Sequence, residues 1–82
     1  MNKEDLKLNR VYCSKRPKKV GVYQDLYDDR QVFYLSETLV QYDSPTVRNG
    51  RKYPFTTIEK FLKWADKDVT DECPDHEWRK VK

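Results

Sequence analysis

The amino-acid sequence predicts an α+β fold, with four to five short antiparallel strands and one C-terminal amphipathic helix across their open face. Three observations point there. Ile58, Phe61, Leu62, Ala65 and Val69 recur at the spacing of a single helical face, a period that no strand uses. Thr56 and Glu59 stand just ahead at capping-box spacing, so hydroxyl and carboxylate can satisfy two free amides at a helix start. Upstream, runs rich in Val, Tyr, Phe and Leu are short and end on Pro, Asp or Asn-Gly, the punctuation of turns between strands.

In chain order, Met1 to Asp5 is a charged lead-in, Leu6-Lys7-Leu8 an approach, and Asn9 to Cys13 a first strand. Ser14 to Lys19 is a loop projecting into solvent, because Pro17 has no amide for a ladder and the cations around it resist burial. Val20 to Leu26 reads as a second strand, with Val20 and Val22 on one face and Tyr23 on the other, and Asp28-Asp29 as the turn after it. In Gln31 to Leu35, Val32 and Tyr34 oppose Phe33 and Leu35; both faces are apolar, so this third strand is expected to be central and best buried. Thr38 to Asp43 is a fourth strand that sets Leu39, Gln41 and Asp43 against Val40 and Tyr42. Arg48-Asn49-Gly50-Arg51 signals a type I′ hairpin, since Asn-Gly supplies two successive positive φ angles at least cost.

The helix is expected to run to Asp68 or Thr70, with Glu59, Lys60, Lys63, Asp66 and Lys67 on its polar face and Glu59–Lys63 in the favourable i, i+4 order. Trp64 sits at the margin of the stripe, where it either widens the core contact or stands partly exposed as a contact residue. Residues 71–82 turn polar, with Trp78 as the one substantial anchor. The expected organisation is a flexible lead-in over 1–5, a single domain over 6–70 and a polar tail over 71–82.

With 82 residues, 37% hydrophobic and 38% charged, the core must come from a few large side chains, and six Tyr, three Phe and two Trp are the supply. A net charge of +3 favours anionic partners without reaching the positive field of a dedicated nucleic-acid binder. No apolar run reaches the roughly 18 residues of a membrane span, and Met1–Arg10 carries no signal-peptide pattern. The expectation is a soluble, cytoplasmic protein with no membrane partner, in which Cys13 and Cys73 are free thiols.

Catalysis has little support. The one histidine, His76, lies in the polar tail, where nothing holds a base against a nucleophile. The paired acids Asp28-Asp29 and Asp71-Glu72 read as solvated carboxylates, and Gly21 and Gly50 alone make no phosphate-cradling loop. Cys73-Pro74-Asp75-His76 has the spacing of a zinc ligand pair and lacks the second pair of a closed site. No catalytic residue, metal or cofactor is therefore expected. The binding candidates are two basic points: Lys15, Arg16, Lys18 and Lys19 around Pro17 with Tyr23 nearby, and Arg48 with Arg51 at the hairpin tip. Cations beside aromatic rings grip phosphates and stack bases. The competing reading is a solvated loop, because 14 acids stand against 17 bases.

Leu8-Asn9-Arg10-Val11-Tyr12, the basic loop, Val32-Phe33-Tyr34-Leu35, Val40-Gln41-Tyr42-Asp43 and Phe61-Leu62-Lys63-Trp64-Ala65 together resemble the small SH3-like β-barrel accessory proteins of tailed bacteriophages. The resemblance implies an SH3-like half-barrel and a non-catalytic module that binds a host protein or nucleic acid, and it carries over no site residue. Such a barrel closes on a strand after its last turn, where this sequence reads as helix and tail. The first functional expectation is a protein-binding adaptor or inhibitor, phage-encoded and acting on a host protein, that uses an exposed strand edge, the Tyr-rich sheet and the charged loops. The alternative is a nucleic-acid binding module gripping phosphates through the basic loops. A monomer or weak homodimer is expected, since Lys-rich flanks discourage edge pairing.

Overall fold

In the computed structural model, which describes residues 1–47, 52–75 and 77–81, every strand is short. They are β1 (Val11–Ser14), β2 (Lys19–Val20), β3 (Leu26–Tyr27), β4 (Arg30–Leu35), β5 (Leu39–Asp43), β6 (Phe55–Thr57) and β7 (Ala65–Asp68), with one α-helix, α1 (Ile58–Trp64), between β6 and β7. Five strands form an antiparallel sheet in the order β6-β5-β4-β1-β7, and β2 pairs with β3 as a separate hairpin. The α+β class is thus as the sequence reads. The sheet is open, with β6 and β7 at its two edges.

The helix departs from expectation at both ends. Its cap is Thr57, whose Oγ1 accepts from the Lys60 amide at 3.1 Å; Thr56 is held in β6 opposite Val40. At the other end the chain leaves the helix at Ala65 and pairs with β1, matching Tyr12 with Asp68 and Cys13 with Lys67. A helix of seven residues has little stability of its own, and the unpaired side of β1 offers the next residues a ladder instead. The helix is therefore not C-terminal: a strand follows it.

Val20 to Leu26 is not one strand. Gly21 at φ +94° and Gln24 at φ +53° lie in a region that extended chain cannot occupy, so β2 and β3 are separate arms of a hairpin. Its tip leaves Val22 93% exposed, in a turn and not on the strand face it would share with Val20. Nor is β4 the best-buried strand. That position belongs to β1, where all four residues are buried.

The reason is that β1 is covered on both faces. On one side Tyr12 joins Leu6, Val32, Val40, Ile58, Phe61 and Ala65 beneath the helix, with the Tyr12 and Phe61 rings edge-to-face at 5.8 Å. The Tyr12 hydroxyl accepts from the Lys7 amide and donates to the Asp5 carbonyl, both at 2.8 Å, so the buried phenol is satisfied and the chain start is tied down. On the other side Val11 and Cys13 lie under Val69, Cys73 and Trp78. Residues 77–81 thus pack against the body: Tyr27 N donates to Arg79 O, Val81 N donates to Asp25 O at 2.7 Å, and Lys80 bridges to Leu26.

Candidate functional site

Two surfaces carry chemistry-bearing side chains without being absorbed into the fold. The first is the sheet face turned away from α1, over β4, β5 and β6. Register places Tyr34, Gln41 and Phe55 in one outward row, with Leu39 opposite Thr57 beside it. A β-bulge between Val32 and Tyr34 inserts Phe33 as an extra residue, which breaks the alternation and turns both Phe33 and Tyr34 outward. The sequence reading paired Tyr34 with the buried Val32, and the bulge overturns it. Phe33 packs edge-to-face on Tyr53 at 4.7 Å, and Tyr34 on Phe55 at 6.0 Å. Five large apolar residues, Phe33, Tyr34, Leu39, Tyr53 and Phe55, are exposed here, Phe55 to 56%.

The second surface is a cleft of about 510 Å³ on the helix side, lined by Ser14, Lys15, Arg16, Lys18, Asp28, Arg30, Lys63 and Trp64. The loop residues are fixed by short backbone contacts. Lys15 N donates to Trp64 O at 2.9 Å, Arg16 N to Ser14 Oγ at 2.9 Å, and Lys18 N to Asp28 Oδ1 at 3.2 Å. At the floor, the half-buried Arg30 guanidinium stacks 4.1 Å from the Trp64 ring centre and 4.4 Å from that of Tyr42. Burial pushes its pKa down, and the charges of Tyr42 and Asp28 only partly offset this.

Of the residues singled out in sequence, Lys15, Arg16 and Lys18 come together in this cleft. Lys19 is exposed on β2 outside its lining, and Tyr23 is 85% exposed at the β2–β3 tip. Arg48 and Arg51 lie outside the described residues, as does the Asn-Gly turn between them. Arg30, Lys63 and Trp64 complete the cleft without having been read as a group, because they come from β4 and α1 and meet the loop only in three dimensions. The one signal available was Trp64, left at the margin of the helical stripe, and it is half-buried.

A third group was misread in sequence. Asp29, a solvated turn acid by its sequence, is instead 1% exposed and receives the Arg79 Nε and Nη2 at 3.0 Å each, while Arg79 stacks on Tyr27 at 4.2 Å. Burial pushes the Asp29 carboxyl up, and the Arg79 hydrogen bonds pull it only part of the way back. This pair holds the last residues to the body and is structural. Both cysteines are free thiols raised by burial. Among the described residues no three His, Cys, Asp or Glu gather as a metal site, and no helix is long and apolar enough to cross a membrane. Comparison with family models, with curated proteins and with solved structures gives no match.

Proposed function

We propose that this protein is a non-catalytic binding module that docks an apolar segment of another protein on its outward sheet face, and so acts as an adaptor or inhibitor of that partner. The observation that carries the reading is the contiguous patch of Phe33, Tyr34, Leu39, Tyr53 and Phe55. Exposed aromatic groups of this density on a small domain mark contact surfaces, because their burial against a partner releases much apolar area at little rotamer cost.

The adjoining edge supports it. β6 presents Phe55, Thr56 and Thr57 without a charge, whereas the opposite edge, β7, carries Asp66, Lys67 and Asp68, the kind of charged guard that keeps strands from pairing. The sheet order, with β7 returning to β1 after the helix and a long excursion between β1 and β4, supports an SH3-like half-barrel as the scaffold that presents this face.

The test is affinity capture from lysate after nuclease treatment at high salt, followed by titration of the purified captured protein. The wild-type chain is expected to retain a defined protein that Tyr34→Glu and Phe55→Glu lose and Lys15→Glu keeps. Equal retention by the aromatic-face variants, or no retained protein, removes the reading.

A further inference from the structure

We propose that the cationic cleft between the Lys15–Lys18 loop and α1 binds the phosphodiester backbone of a single-stranded nucleic acid, with the Arg30 guanidinium at its floor. Three described arginines are half-buried, and the other two hold carboxylates. Arg10 Nε lies 2.8 Å from Asp68 and Arg79 Nε 3.0 Å from Asp29. Arg30 has no carboxylate within ion-pair distance among the described residues. The acid lining the cleft, Asp28, already accepts from the Lys18 amide. Stacking on Tyr42 and Trp64 occupies the faces of the guanidinium and leaves its in-plane N–H donors for an anion.

Lys15, Arg16, Lys18 and Lys63 line the same cleft, so five cations face one lining acid, with Lys63 shared with Glu59 of the helix at 3.5 Å. Like charges gathered around a half-buried cation repel one another, and an incoming anion relieves that repulsion. The loop is already tied by its contacts to Trp64, Ser14 and Asp28, so little ordering entropy is lost on binding. Cations spread over one cleft suit a single strand, whose flexible backbone brings successive phosphates within reach of each of them; an acidic peptide is the competing occupant that the poly-glutamate arm tests. This surface is independent of the aromatic face. Arg30 pairs with Tyr12 on the helix side of the sheet, whereas Tyr34 and Phe55 face the other way.

Fluorescence anisotropy with labelled dT15 and U15 tests the proposal, with a hairpin duplex and poly-glutamate as competitors. A single strand is expected to bind at low salt, with log K falling against log salt at a slope of about −3 for four to five phosphate contacts. The double variant Lys15→Glu/Lys18→Glu, altered only at exposed positions, is expected to lose affinity at least about tenfold with an unchanged circular dichroism spectrum. Arg30→Gln is expected to do the same. Should Arg30→Gln disturb the aromatic stack, the loop variant still decides. Absence of binding at low salt, unchanged affinity in the loop variant, stronger competition by duplex, or equal competition by poly-glutamate each overturns the assignment.

Discussion

The sheet face turned away from the helix has two halves of unlike fate. Over β1 and β7 it is roofed: Val11 and Cys13 lie beneath Val69, Cys73 and Trp78. Over β4, β5 and β6 it is bare, and larger side chains, Phe33, Tyr34 and Phe55, stand in water. Side-chain hydrophobicity does not separate the halves, since the bare one is the more aromatic. What separates them is a further piece of chain. The segment after β7 folds back over β1 and is fastened by the Asp29–Arg79 pair, whereas nothing among the described residues returns over β5 and β6. An apolar strand face is core where the chain comes back to cover it and stays exposed where it does not.

The largest expected effects come from the ion pair that fastens the roofed half and from the core on the helix side of the sheet. Arg79→Ala leaves the buried Asp29 carboxylate without a partner, which costs about 3–5 kcal/mol and frees the roof. Urea unfolding measures the loss, and hydrogen exchange at Val11 and Cys13 should accelerate with it. A loss below about 1 kcal/mol would mean that the apolar contacts hold the roof without the ion pair. Phe61→Ala, at a side chain fully buried against Tyr12, Tyr42 and Trp64, is also expected to cost about 3–5 kcal/mol. It should leave the exposure of the bare half unchanged, because that half rests on the opposite side of the sheet.

A smaller, pH-dependent effect belongs to the seam where β7 joins the roof. Burial alone would raise the Asp68 carboxyl, but hydrogen bonds from Arg10 and Thr70 outweigh it and hold the group below the usual range. A carboxyl depressed in the folded state contributes stability above its unfolded value of about 3.9 and loses it as pH falls through the folded value. Wild type and Asp68→Asn should therefore differ in urea midpoint at neutral pH and converge as pH falls through the depressed folded value. A difference that persists undiminished in acid would assign the effect to neutral hydrogen bonding. Smallest is the change on the bare half, where Phe55→Glu should alter stability by no more than about 0.5 kcal/mol while abolishing partner capture. A large thermal shift would make that face core.

The stripe of Ile58, Phe61 and Ala65 is legible in sequence and is buried as read. Strands β4 and β5 fall within a residue of their expected limits because β-branched and aromatic runs between turn residues specify extended chain locally. The end of the helix was not legible, since Ala65 to Asp68 has helical composition and becomes a strand only because β1 has a free side fifty residues earlier in the chain. The bulge at Phe33 leaves no signature in a one-dimensional alternation, so the outward turn of Tyr34 was hidden. In the cationic cleft, Lys15, Arg16 and Lys18 were visible as a local charge cluster. Arg30, Lys63 and Trp64 were not, because their grouping depends on where β4 and α1 cross the loop.

By itself the sequence determined the α+β class, the buried stripe of Ile58, Phe61 and Ala65 and the position of the basic loop, because each rests on periodicity or composition within a few neighbouring residues. Tertiary structure alone decided that Asp29 is buried, that β7 exists and that one half of an aromatic sheet face is roofed while the other is open. Those outcomes depend on contacts between residues fifty or more positions apart, whose free energies no local window contains.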